Sequence, residues 1–378
     1  MIRGDDRYRR ILVGARAIDE CGPQWAALVD QLDSPVFQTP DWARTWLHHF
    51  GGHSEGGARI EAEPWILVRE GSDPYIWPLI VTRRGPYRVL RSLGEGVSDY
   101  LGPISADPAA AMRDALELLK RGAGMFGHID LKSLAVRDEA LAVLETGLRG
   151  ATRRVYERCP NIRTDGTFAG YLEGRKKKFR ANWKRTIRRT EAHGKVDIGL
   201  SPFSDDLFAE IQMVERESWK WANGTAYLSD PRRTAFLCAV LSQPRMQSEI
   251  WTCRIDGALA AFAIAFTNRT TRHYYLPSFR TRYSDVGTYL LGRIAEATFD
   301  SELTELDLMQ GDESYKMAWA TGERSVYELA APGVGPIGWP AVLGLKARWR
   351  LAESSSVREL RVRLQRAVRG TAQADEAD

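Results

Sequence analysis

Four of the five residues from 312 to 316 carry side chains fit for acid–base work: Asp312, Glu313, Tyr315 and Lys316. Two carboxylates, a phenol and an amine in one short stretch can take a proton, give one and steady the charge between. Each also has a plainer use. Acids at a helix start complement its dipole, Lys316 can pair with Asp312 four residues earlier or anchor a phosphate or carboxylate, and a tyrosine can pack its ring and hydrogen-bond its hydroxyl. A second group, Glu217-Ser218-Trp219-Lys220-Trp221, precedes the turn Gly224-Thr225-Ala226 and mixes charge with aromatic surface, as the mouth of a cleft would. Trp219 there reads more readily as core than as a platform for substrate. A third, Arg282-Tyr283-Ser284-Asp285-Val286-Gly287-Thr288, reads as a helix start whose unpaired amides and positive dipole end can cradle an anion. From Arg175 to Lys195 there are ten Lys or Arg, with Phe179, Trp183 and Ile187 on one stripe. That pattern fits a solvated helix face or an anion-binding surface. The basic face lacks the interleaved aromatics that stack single-stranded bases.

Other chemistries find little support. The chain has no Walker-type loop, dinucleotide Gly-x-Gly-x-x-Gly, Gly-x-Ser-x-Gly elbow or His-Glu-x-x-His. His48, His49 and His53 come closest to a metal spacing but run into Gly51-Gly52, which reads as a glycine-ended helix, so no metal is expected. Cys21, Cys159, Cys238 and Cys253 are scattered, the pattern of a reducing cytoplasm. The longest apolar run, Ala258 to Phe266, is too short to span a bilayer, and the first residues lack the apolar block of a signal peptide. With 378 residues, 44% of them hydrophobic, and a net charge of +4, two packed domains and a small appendage are expected, with any basic surface local.

The elements that must position these residues come in a repeated order. Thr39-Pro40-Asp41 signals a helix start, with Trp42, Trp46 and Phe50 on one stripe. Runs at Trp65–Val68 and Tyr75–Val81 form a hairpin, followed by a strand at Val89-Leu90, a polar loop from Gly94 to Pro103, a helix from Pro108 to Arg121 and a strand at Ile129–Leu131. The order returns as Glu249–Arg254, Leu259–Phe266, His273–Leu276, a polar loop, a helix from Thr288 to Phe299 and a strand at Leu306–Leu308. A shift of 186 residues brings seven identities into a 35-residue window, among them Trp65 on Trp251, Ser98 on Ser284 and Asp99 on Asp285. Roughly two would arise by average usage. The chain therefore divides into a first copy over 1–160, a second over 161–335 and a helical tail over 336–378. The tail carries a capping box, Ser356-x-x-Glu359, ahead of Val357, Leu360, Leu364 and Val368.

Hairpin, strand, polar loop, helix, strand resembles the core order of the GNAT acyltransferase fold. The GNAT phosphate loop reads Gln/Arg-x-x-Gly-x-Gly/Ala; Arg282 and Gly287 match it, while Asp285 stands at the first glycine, where a carboxylate repels a diphosphate unless it points away. The start Phe37-Gln38-Thr39-Pro40-Asp41-Trp42, the basic helix Arg180 to Arg189, the Glu217–Lys220 segment, and Asp307-x-x-x-Gly311-Asp312-Glu313-x-Tyr315-Lys316 together resemble the tandem GNAT proteins of the CelD type, tied to cellulose and exopolysaccharide biosynthesis and similar to Fem peptidyltransferases. The resemblance runs from Val36 to Leu329.

It implies an α+β, three-layer architecture of two tandem GNAT-like domains, each a mixed, mostly antiparallel sheet flanked by helices. The first would be degenerate and shape the cleft. The second would bind acetyl-CoA or another acyl-CoA through Leu276, Arg280, Arg282, Tyr283, Ser284, Val286, Gly287 and Thr288. Tyr315 would be the acid, Asp312 or Glu313 the base through a water, with Glu217 in reserve, and Trp219, Lys220, Tyr275 and Lys316 would meet the acceptor, a small amine or amino sugar. Two other functions fit the same letters: a Fem-like transferase using aminoacyl-tRNA, and a silent GNAT scaffold in a polysaccharide assembly complex, suggested by Asp285.

Overall fold

The computed structural model describes residues 9–55, 58–122, 126–333 and 337–353. The first half comprises β1 (Arg9–Val13), α1 (Ala17–Leu32), α2 (Pro40–Phe50), β2 (Gly52–Glu55), β3 (Ala58–Arg69), β4 (Tyr75–Arg84), β5 (Tyr87–Ser92), β6 (Ile104–Ser105), α3 (Pro108–Gly122), β7 (His128–Leu134) and α4 (Asp138–Gly147). β8 (Thr152–Arg163) leads into α5 (Phe168–Gly174), α6 (Lys177–Glu191), β9 (Val196–Leu200), α7 (Asp205–Arg216), α8 (Trp219–Ala222) and α9 (Pro231–Leu241). The second repeat follows as β10 (Ser248–Ile255), β11 (Ala258–Thr267), β12 (Thr271–Phe279), α10 (Val286–Phe299) and β13 (Glu305–Asp307), and the described chain ends with α11 (Ser314–Trp319), β14 (Gly322–Pro332) and α12 (Gly338–Glu353). Local signals account for several boundaries. Thr39 Oγ1 accepts from Trp42 N to cap α2, Ser204 caps α7 and Asp230 caps α9.

All fourteen strands of the described residues join one mixed sheet, with the path β1-β3-β4-β5-β7-β14-β8-β13-β12-β11-β10-β9. The duplication read in the sequence is visible as β3-β4-β5-α3-β7 against β10-β11-β12-α10-β13, and each copy holds a parallel pair, β5 with β7 and β12 with β13. Between the copies the strands are exchanged. β8, which follows the first repeat, pairs with β13 of the second, and β14, which follows the second, pairs with β7 of the first. β8 and β14 then pair with each other and join the two halves into one open sheet. The sequence division at 160/161 falls within β8.

Alternation along the strands explains the layers. On β11, Phe262, Ile264 and Phe266 point into a core shared by α1 and α2 with α7 and α9, while Ala261, Ala263 and Ala265 face the opposite core. The alanine face leaves room for α10, whose Leu290, Leu291 and Ile294 pack there beside Trp183 of α6. Gly292 lets the two helices close up, since a Cβ there would stand 2.2 Å from the Trp183 ring. The other face of the first half buries Met112, Ala115 and Leu119 of α3 with Leu141 and Leu144 of α4. Each of the buried leucine and methionine side chains stabilises the fold by about 1.5–3 kcal/mol before chain entropy is counted. Past the Pro332–Pro336 stretch, α12 packs Val342 and Trp349 against Ala330 of β14. The capping box at Ser356 and Glu359 and the stripe after it lie outside the described residues.

Candidate active site

β12 and β13 run parallel only from Thr271–His273 against Glu305–Asp307. Beyond that the register of β12 against β11 jumps, Ile264 facing Leu276 and Ala265 facing Tyr274, so Tyr275 is an extra residue in a bulge. The bulge bends β12 away and a wedge opens between the strands. The matching wedge of the first half, between β5 and β7, is filled by the chain itself: Leu101 N donates to Ser133 O and Ala135 N to Leu101 O, both at 2.8 Å. The filling segment is the polar loop that stands where the phosphate loop would be in the first copy. Its Gly96–Asp99 stretch lines the open wedge of the second half.

A cavity of about 270 Å³ results, walled by that loop, Tyr227, Tyr275, Lys220 and the α11 region with Gln310, Glu313, Tyr315 and Lys316. Asp99 Oδ2 accepts from Gln310 N at 3.3 Å, and the Gln310 side-chain amide donates to Asp99 O at 2.5 Å and to Ser133 Oγ at 3.1 Å. Burial lifts the Asp99 carboxyl to about 7, against the Gln310 amide and the charge of Lys316, which favour its ionised form. Lys220 Nζ donates to Pro277 O at 2.7 Å, and burial holds its pKa below the ordinary lysine value. Lys316 Nζ donates to Gln310 O at 2.6 Å and pairs with Glu313 at 3.1 Å. The Tyr275 hydroxyl donates to Val97 O at 2.7 Å and stands 3.1 Å from that of Tyr227. Tyr315, 37% exposed, has its phenol pushed up by burial and then by Glu313, so it stays protonated. Ser133 and Met309, at φ 54° and 63°, sit in the left-handed region at the two strand ends that meet here, strain of the kind found at functional sites.

The loop before α10 follows the end of β12, whose Tyr275 and Pro277 line this cavity. α10 begins at Val286, two residues ahead of the expected Thr288, and no side chain caps the amides of Val286, Gly287 and Thr288. Asp285 takes the glycine-like φ of 67°, and its carboxylate turns to Arg189 of α6 at 3.4 Å. The acid that threatened an anion there is thus held by a cation. Gly287 has a packing reason: a Cβ would lie 2.6 Å from the Phe279 ring. Arg282, exposed, stacks over Tyr283 at 4.9 Å, and His193 meets Ser284 at 3.5 Å. Uncapped amides, an exposed guanidinium and a diverted carboxylate together suit a diphosphate.

Of the residues singled out in the sequence, Lys220, Tyr275, Glu313, Tyr315 and Lys316 line one cavity. Others go elsewhere. Arg280 and Glu217, expected in different roles, bind each other at 2.6 Å and tie the loop to the end of α7. Lys316 pairs with Glu313 rather than Asp312, because α11 starts at Ser314 and leaves Asp312 outside the helix. Asp312 is exposed and outside the cavity lining. Leu276 is buried in the shared core. Trp219 is 40% exposed on the short α8, not core. Asp99, Tyr227 and Gln310 were missed as site residues; the pairing of Ser98-Asp99 with Ser284-Asp285 was the signal for the first. A larger cavity, about 880 Å³, lies beyond Tyr100 between the starts of α3 and α4 and the β11–β12 turn, and none of the anticipated residues lines it. No group of three or more His, Cys, Asp or Glu among the described residues is placed to hold a metal ion. Nor is any helix there long and apolar enough to cross a membrane.

Residues 177–317 match the sequence family of the acetyltransferase (GNAT) domain. This segment is similar to GNAT acetyltransferase domains. The matched segment contains the α10 loop, Lys220, Tyr275, Tyr315 and Lys316, whereas Asp99 reaches the cavity from outside it. Solved structures share the wider fold at low identity. FemX has a TM-score of 0.55 at 10% identity, over 81% of this chain and 95% of its own. The C-terminal domain of a lysylphosphatidylglycerol synthetase-type protein from Agrobacterium fabrum has 0.52 at 14%, over 88% and 97%. A Bacteroides thetaiotaomicron protein of unknown function has 0.52 at 14%, over 83% and 97%. No curated protein matches the chain in sequence.

Proposed function

We propose that the chain is an acyl-CoA-dependent N-acyltransferase, most simply an acetyltransferase, acting on a small amine or amino sugar in glycan or small-molecule biosynthesis. The observation that carries this reading is the open wedge of the GNAT domain, with the uncapped start of α10 at one side and a carboxyl of pKa about 7 in its wall. Arg282, Ser284 and the amides of Val286 to Thr288 would hold the donor's diphosphate. Asp99 would take a proton from the incoming ammonium, and the freed amine would attack the thioester carbonyl. The ammonium groups of Lys220 and Lys316 would stabilise the oxyanion, each having donors beyond the carbonyl it already binds. Collapse breaks the C–S bond, and Tyr315 would pass its proton to the departing thiolate. Calorimetry with acetyl-CoA tests the donor site: binding at least tenfold weaker in Arg282→Ala supports it, and no heat with wild-type protein sinks it. Tyr315→Phe is expected to lower kcat about 10²-fold without changing donor affinity.

A second reading, a Fem-like aminoacyl-tRNA-dependent transferase, is favoured by α6. Lys176, Lys177, Lys178, Lys184 and Arg188 are exposed there with no carboxylate partner among the described residues, and the helix ends beside the donor loop. Charged-tRNA binding that falls steeply between low and moderate salt would support it over the first. The silent-scaffold alternative rested on Asp285, and the Arg189 contact weakens that motive.

A further inference from the structure

Gly96 and Val97 line the transfer cavity on one side and a second space of about 450 Å³ on the other. That second space has an aromatic wall, Trp46 and Phe50 with ring centroids 5.7 Å apart, and a basic rim from the first turn of α9, Arg232 and Arg233. Its acids are already committed. Glu95 is held by Arg91 at 3.2 Å and Lys132 at 2.8 Å, and Asp230 accepts from Arg232 N at 2.8 Å as the helix cap. The rim arginines are not matched to the same degree. Arg233 lies over the Tyr227 ring at 5.6 Å with no carboxylate partner among the described residues, and the side chain of Arg232 has only Asp230, at 3.9 Å. Both also stand at a helix N-terminus, where a cation works against the dipole. Two guanidinium groups on adjacent residues, one without a carboxylate partner among the described residues and one with only a 3.9 Å contact, beside an apolar wall make a receptor for an oxyanion of about two charges carried on a carbon skeleton.

We infer that this space is the acceptor's second subsite and that the acceptor is a phosphorylated amine: the phosphate meets Arg232 and Arg233, the skeleton lies against Trp46 and Phe50, and the amine passes Gly96 toward Asp99. A phosphate monoester, at about −1.5 to −2 near pH 7, matches the pair better than a carboxylate. The word acceptor rests on the N-acyltransferase reading; the anion site does not.

The test is equilibrium binding, which needs no turnover. Glucosamine and glucosamine 6-phosphate are titrated by calorimetry into the wild-type chain, Arg232→Gln/Arg233→Gln and, as a control elsewhere on the surface, Arg245→Gln. The expected result is at least tenfold tighter binding of the 6-phosphate by wild type and Arg245→Gln, shrinking to within twofold in the double variant at unchanged Tm. Equal affinities for the two sugars in wild type, including no measurable binding of either, would overturn the inference, as would a preference that survives in the double variant. Acetyl-CoA titrated in parallel separates the two proposals: a phosphate preference without donor binding removes the transferase reading and leaves the anion site standing.

Discussion

Burial carries the Asp99 carboxyl from 3.8 to about 7 against the pull of Gln310 N and Lys316, and the shift acts on rate and on stability with different signs. A base works in its ionised form, so kcat/KM should rise with pH up to about 7 and level off above it. Stability runs the other way. A carboxyl whose folded pKa lies above its unfolded value contributes stability that is fully present below pH 3.8 and is lost as pH rises to about 7. Asp99→Asn should therefore lower kcat at least 10²-fold, flatten the rise toward pH 7, and raise Tm more at pH 8 than at pH 5. A pH–rate profile that keeps its shape in the variant would place the base elsewhere. Equal changes in Tm at the two pH values would mean that Asp99 is not a strained acid at all.

At the start of α10 the same style of reasoning separates two roles of one residue. Asp285 spends conformational energy at φ 67°, a region open to glycine and costing other residues roughly 1–2 kcal/mol, although Asp tolerates it better than most. Its contact with Arg189 offsets part of that cost but leaves a negative charge beside the proposed diphosphate site. Asp285→Gly should hold or raise Tm and tighten acetyl-CoA binding several-fold. Asp285→Ala keeps the unfavourable φ, loses the ion pair and should lower Tm; calorimetry and thermal melts read both. Elements of this kind were legible to different depths. The cap at Thr39, the β3–β4 and β10–β11 hairpins and the basic helix follow from neighbours in sequence, so local pattern found them. The direction of Asp285 depends on an arginine 96 residues away, and Asp99 meets its partner Gln310 across 211 residues. No window of sequence holds both ends of such a contact. The bulge at Tyr275 was hidden for another reason, because an extra residue in a strand leaves the apolar run looking continuous.

Over the whole molecule, two unequal halves wall one cavity. The loop of the first copy fills its own wedge and supplies Asp99 to the cavity of the other, so one segment closes one wedge and walls the second. The exchange of β8 and β14 makes that arrangement hard to undo. β8 lies between β14 and β13, and Arg154 of β8 pairs at 2.8 Å with Glu328 of β14, whose side chain is almost fully buried. A fragment of residues 164–333 would keep the GNAT domain segment but lose β8, which leaves β13 with an open edge and Glu328 without its cation. Uncompensated buried charge and an unpaired strand edge both favour unfolding and aggregation. The full chain should therefore melt in a single calorimetric transition, and residues 164–333 alone should show no cooperative melt. Two resolved transitions, or a soluble fragment that unfolds cooperatively, would mean that the repeats fold independently and that the exchanged strands join them only afterwards.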